Sequence, residues 1–147
     1  MPGEIIDLMV VNTATLKDNP ALGKALTGAW YEMMDLLQDK GDKGKAARTA
    51  MAKASGTDLA GFESQLATTR MFYTPKDALE FTRSATLPAT MDHVRSFSFA
   101  HGLLGAAAKS ADAVGIAYPG GKSAGDGKNL KLRFDDSFEA MAAQGKL

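Results

Sequence analysis

Apolar residues recur at helical spacing through most of the chain. In DNPALGKALTGAWYEMMDLLQDKG, Leu22, Leu26, Trp30, Met33 and Leu37 return every three or four residues. That period places side chains on one face of an α-helix. Asn19 suits the N-cap, and Pro20 suits the first helical position, where a missing N–H leaves nothing unpaired. Gly41 ends the run. The pattern predicts a helix over 20–39, roughly 30 Å long, with Trp30 and the methionines packed into a core.

The same reasoning predicts five more helices. KGKAARTAMAKASG, 43–56, is alanine-rich with a basic, solvated outer face. TDLAGFESQLATTRMF, 57–72, starts at a Thr57 cap and carries Leu59, Phe62 and Leu66 on one side. TPKDALEFTRSA, 74–85, repeats the start signal: Thr74 caps, Pro75 is first, and Asp77 complements the helix dipole. LPATMDHVRSFSFAHGLLGAAAKSA gives a long helix from 87 to about Leu104. Its inner stripe is Met91, Val94, Phe97 or Ser98, His101 and Leu104. DSFEAMAAQGKL closes the chain with a short helix.

Two stretches follow strand rules instead. IIDLMVVN, 5–12, is short, apolar and partly β-branched, and predicts a buried strand near 6–12. NLKLRFD, 129–135, alternates Leu130, Leu132 and Phe134 against Asn129, Lys131 and Arg133, the pattern of a half-buried strand. Two short strands do not make a stable sheet alone. They either pair as an appendage to a helical core or belong to something larger. The fold class is therefore mostly α with two or more short strands. No repeat or linker divides residues 1–147, which read as a single partial domain.

GIAYPGGKSAGDGK, 115–128, ends its core like a phosphate-binding loop. That loop needs Gly, four residues, then Gly-Lys-Ser/Thr. Counting back from Gly121-Lys122-Ser123, the glycine position holds Ile116. The loop must also open into a helix, and Gly125 and Gly127 follow within a few residues. The stretch reads as an exposed connector.

Composition narrows the chemistry. Lys+Arg and Asp+Glu are both 17, so the formal net charge is zero and no basic nucleic-acid footprint is present. Hydrophobic residues make up 45%, which places the chain among globular proteins. Cysteine is absent, removing disulfides, thiol nucleophiles and cysteine–metal sites. His93 and His101 are eight apart, whereas paired zinc histidines on a helix sit four apart with further ligands. His101 is expected to be a buried or half-buried, hydrogen-bonded side chain. The N-terminal apolar run is too short to span a membrane and lacks a basic leader, so no secretion signal is read. No Ser/His/Asp spacing or carboxylate pair suggests an enzyme.

The order of elements carries a resemblance. PGEIIDLMVVNTATLKDNPALGKALTGAWYEMM, then ATTRMFYTPKDALEF, then TMDHVRSFSFAHGLL, then NLKLRFDDSFEAMAAQGKL resembles the C-terminal part of ABC-transporter periplasmic substrate-binding proteins. The group is the nitrate/sulfonate/taurine type, and within it the members encoded near urea carboxylase genes. The resemblance implies a two-lobed, hinged α/β fold of the type II periplasmic-binding class, of which this chain is a truncated, C-terminal fragment. It implies a small polar nitrogen-containing or anionic solute, and an ABC transporter permease as the partner of the full-length form. It implies no cofactor, no metal and no nucleic acid, and a periplasmic location for a full-length, exported protein. Pyrimidine-synthase relatives of the fold use pyridoxal phosphate with histidine- and cysteine-rich motifs that this chain lacks.

The resemblance places Gly3, Glu4 and Asp7 at the cleft edge. Gly3 allows close backbone approach to a solute. Glu4 pairs with a cationic or N–H-rich solute through charge-assisted hydrogen bonds, or is only a solvated terminal residue. The alternative function is a free-standing helical interaction module without ligand-binding activity, which requires an exposed apolar patch.

Overall fold

The computed structural model describes residues 5–147. They form a mostly helical chain with one small mixed sheet, divided into two compact units. The first holds the chain to Thr15 and Leu79–Ser137; the second holds Leu16–Ala78 and Phe138–Leu147. The backbone thus passes between units after Thr15, Ala78 and Ser137.

Residues 5–12 are not a strand. They carry no regular structure, and Ile5 and Val10 are largely exposed. Strand propensity needs a neighbouring strand to realise it, and no strand among the described residues pairs with this segment. The chain then turns into a short helix, α1 (Thr13–Asp18), which the sequence reading omits. Asn12 starts it: its Oδ1 accepts from the N–H groups of Ala14 at 2.9 Å and Thr15 at 3.3 Å.

The second unit is built on α2 (Pro20–Gln38), α3 (Asp42–Ala54) and α4 (Leu59–Thr68). α2 matches the predicted span and opens on Pro20, although Asn19 makes no side-chain cap bond. Its buried positions are Gly23, Thr27, Met34 and Leu37. That stripe runs through Tyr31, not Trp30, which is 42% exposed. The expected burial of Trp30 fails because the inner face is centred one residue later, a turn of about 100°. The close approach of Phe138 to Gly23 explains the glycine: a Cβ there would stand 2.6 Å from ring atoms Cε1 and Cε2. α4 begins one residue later than expected, with Asp58 rather than Thr57 as its cap; Asp58 Oδ1 accepts from Gly61 N–H at 2.8 Å.

α5 (Pro75–Arg83), which belongs to the first unit from Leu79 onward, leads to α6 (Thr86–Ala100) in that unit. The Thr74 cap holds: its Oγ accepts from Asp77 N–H at 3.2 Å and donates to Asp77 Oδ2 at 2.7 Å. α6 ends earlier than Leu104, with His101 at its C-cap and Gly102 at φ +71°. Its inward stripe is Leu87, Met91, Val94, Arg95 and Ser98. Phe97 is 58% exposed, and His101 is exposed beside it, ring centroids 3.9 Å apart. The expected burial of His101 therefore fails, although its Nδ1 lies 2.9 Å from the Phe97 carbonyl oxygen.

The sheet contains β1 (Gly115–Tyr118), β2 (Lys122–Ala124) and β3 (Leu130–Arg133), in the order β2-β1-β3. β1 pairs antiparallel with β2, Tyr118 opposite Lys122, and parallel with β3, Ile116 opposite Leu132. β3 is the strand read from alternation; β1 and β2 come from the stretch read as a connector. Pro119, Gly120 and Gly121 turn β1 into β2, the two glycines at φ +74° and +76°, a conformation that favours glycine. Lys122 and Ser123 thus enter a strand, not the helix a phosphate loop requires. α7 (Ser137–Ala143) follows the sheet as predicted.

The sheet survives because it packs on α6. Leu87, Ile116 and Tyr118 form its buried centre, with Ile6, Phe81, Met91, Ala124, Leu132 and Phe134 around them. Leu87 is fully buried, and Tyr118 stacks on Phe134 with centroids 5.6 Å apart.

Candidate functional site

The most site-like polar cluster among the described residues lies beside this core and is centred on Arg95. Helical spacing carries Arg95 inward two turns after Leu87, onto a stripe otherwise apolar or small. It is 4% exposed. A buried guanidinium is tolerated only when paired and hydrogen-bonded. Its Nε donates to the Ala111 carbonyl at 3.3 Å, and its Nη2 donates to Asp112 Oδ1 at 2.5 Å. Asp92 Oδ1 lies 3.4 Å from Nη1 but is not aligned as a hydrogen bond, so Nη1 has no hydrogen-bond partner among the described residues.

The loop that receives Arg95 is itself held in place. Ser110 Oγ accepts from Asp112 N–H at 3.2 Å, and the Asp112 carbonyl accepts from Asp126 N–H at 2.8 Å. Asn129 Nδ2 donates to the Ala113 carbonyl at 2.7 Å. Gly125, at φ +73°, lies against the guanidinium; a Cβ there would stand 3.3 Å from Arg95 Cζ.

Tyr118 completes the cluster. Its hydroxyl is buried without a hydrogen-bond partner among the described residues. Burial pushes its phenol pKa up; the nearby Arg95 charge opposes that shift and Asp92 adds to it. Arg95 Nη1 and the Tyr118 hydroxyl are thus two buried donors without a hydrogen-bond partner among the described residues, beside the exposed carboxylates of Asp92 and Asp112. One cation between two carboxylates sums to one negative charge, so a second anion has no unbalanced positive charge to meet. No nucleophile activated by a base is assembled there.

Of the sequence-derived site residues, only Asp7 is among the described residues, and it is not part of this cluster. Gly3 and Glu4 lie outside the described residues. Asp7 is exposed on the irregular segment and makes no hydrogen bond or ion pair among the described residues, while its neighbour Ile6 packs on the Leu87 core. Arg95 escapes the sequence reading, yet it leaves a signal: a charged residue at an inward position of a helical stripe. Among the described residues no group of three or more His, Cys, Asp or Glu could hold a metal ion, and no helix is long and apolar enough to cross a membrane.

The second unit has two open concavities. One, of about 320 Å³, is lined by Tyr31, Glu32, Asp35, Pro75 and Leu147. The Tyr31 phenol there is pushed up to about 12, by burial first and then by the charges of Glu139 and Asp77. The other, of about 470 Å³, is lined by Lys40, Arg48, Glu63 and Tyr73. Its Arg48 and Glu63 are already paired with each other at 3.0 Å.

Comparisons of the chain with protein-family models, curated proteins and solved structures gave no match.

Proposed function

We propose that the chain is the C-terminal portion of a solute-binding component of an ABC importer, of the nitrate/sulfonate/taurine type. The solute is small, polar and either nitrogen-containing or anionic, and the partner is the importer's permease. The observation that carries this reading is the division of the chain. Two compact units share it, and the backbone passes between them three times, after Thr15, Ala78 and Ser137. A two-lobed binding protein is built by such repeated passage. The combination of helices with a small mixed sheet also agrees with this reading, as does the resemblance in element order. Gly3, Glu4 and Asp7 are the proposed solute contacts.

The experiment is calorimetry with urea, guanidinium, taurine and nitrate, on this chain and on the chain extended upstream to the family's length. Micromolar binding of one of these solutes by the extended chain is the expected result. Failure of both forms to bind any of the four overturns the assignment.

A second reading is favoured by a different observation. Ile5, Leu8, Met9 and Val10 expose an apolar run, and Phe97 and Leu103 are 58% and 69% exposed. Exposed apolar surface of this kind marks interaction sites, so a helical interaction module without ligand binding is the alternative.

A further inference from the structure

The exposed run at residues 5–12 has the composition of a strand and no strand to pair with. Ile5 is 92% exposed and Val10 72%, while Leu8 and Met9 are close to half exposed. Side chains alternate along an extended chain. Ile6, Leu8 and Val10 therefore share one face, and Ile5, Asp7 and Met9 share the other. Only Ile6 reaches the chain's own core.

The same unit contains an open sheet edge of matching character. β3 ends the sheet, and no strand among the described residues covers its outer side. Leu130, Leu132 and Phe134 turn toward the core, while Lys131 and Arg133 are exposed. Exposed cations on an edge strand discourage indiscriminate pairing. They also specify what fits. A strand whose apolar face joins Leu130, Leu132 and Phe134 must present its other face beside Lys131 and Arg133. In residues 5–12 that face carries Asp7, the segment's one charged residue. Alternation and charge thus select the same register, since a slip by one residue reverses every side chain.

We propose that residues 5–12 add as a strand to the β3 edge of a second copy of this chain, with Asp7 beside Lys131 and Arg133. Each copy carries both the segment and the edge, so an exchange made reciprocally about a twofold axis closes as a dimer. Ile6, on leaving its own chain's core, joins the partner's apolar face together with Leu8 and Val10, which the single chain leaves exposed. This inference does not depend on the solute-binding reading and fails separately from it.

The test uses the full chain. Sedimentation equilibrium should show a monomer–dimer equilibrium that Val10→Asp abolishes. Asp7→Lys, and Lys131→Glu with Arg133→Glu, should each weaken dimerisation about fivefold at low salt, and combining them should restore it. Carbodiimide coupling of Asp7 to Lys131 in a mixture of ¹⁵N-labelled and unlabelled chains should yield mixed-isotope cross-links. A chain that stays monomeric to its solubility limit overturns the proposal. So do cross-links confined to one isotope, which mean pairing within a single chain, or charge-reversed combinations that bind no tighter than either variant alone.

Discussion

Arg48 binds the end of one helix while Asp39 begins the next, and the two residues meet at a single carbonyl. Arg48 Nη1 donates to the Asp39 carbonyl at 2.5 Å and to the Leu37 carbonyl at 3.1 Å. These lie at the end of α2, where carbonyls lack intrahelical partners. The Asp39 carboxylate meanwhile accepts from Gly41 N–H at 2.8 Å and Gly44 N–H at 2.9 Å, at the start of α3. Arg48 also pairs with Glu63 of α4, so one side chain links three helices. Its side chain is 12% exposed. Arg48→Ala should destabilise the chain by about 2–3 kcal/mol, because charged hydrogen bonds are lost and carbonyls left unpaired. Arg48→Lys should recover little, since an ammonium lacks the guanidinium fork. Urea unfolding of the two variants measures both effects.

Asp39 makes the same junction depend on pH. The Gly41 and Gly44 N–H groups hold its carboxyl below the usual carboxylate value, and the charges of Arg48 and Lys43 add to this. A folded-state pKa below the unfolded value stabilises above the unfolded pKa, about 3.9. That contribution disappears as pH falls through the lower folded value. The stability gap between the natural chain and Asp39→Asn should be constant from neutral pH down to about pH 5 and close below about pH 4. Urea unfolding across that range gives the gap directly.

The two cores respond differently to truncation. Leu87 is fully buried among Ile116, Tyr118 and Met91. Leu87→Ala should cost about 2–5 kcal/mol, combining lost burial with a cavity. Trp30, at 42% exposed, should cost clearly less on replacement by Ala. Its fluorescence should show a partly hydrated indole. Equal losses at the two positions would contradict the placement of the α2 face.

Helices were legible in the sequence where caps and period agreed. Pro20, Thr74 and Pro75 marked starts that the structure keeps, and Leu130, Leu132 and Phe134 marked β3 by alternation. The inner face of α2 was less legible, because Trp30 and Tyr31 are adjacent large residues and either satisfies a helical stripe. β1 and β2 hid behind glycines that serve the turn between them. Residues 5–12 have the composition of a strand, yet a strand exists only through its neighbour. The role of Arg95 is hidden in the sequence for a related reason: it depends on Ala111 and Asp112, 16 and 17 residues away along the chain.

Arg95 tests whether the cluster ties α6 to the loop before β1. Arg95→Ala removes the tether and opens space beside Gly125, and should cost about 1.5–3 kcal/mol through lost charged hydrogen bonds, since the carboxylates left behind are exposed. Arg95→Met keeps volume while removing the buried charge, and should cost less. Amide exchange should quicken at Asp112 and Asp126 in both variants, because the loop loses its tie to α6. Unchanged protection at both amides would remove the tether from the account.

The central claim is that this chain contributes contacts to a small solute, and titration of the proposed contacts tests it most directly. The extended chain, its Glu4→Ala variant and its Asp7→Ala variant are titrated calorimetrically with guanidinium. Loss of one charge-assisted hydrogen bond, about 1.5–3 kcal/mol, predicts a tenfold to hundredfold weaker Kd for at least one variant. Binding by the extended chain that survives both substitutions unchanged, or no binding at all to this cation, would contradict the assignment of those carboxylates to the solute.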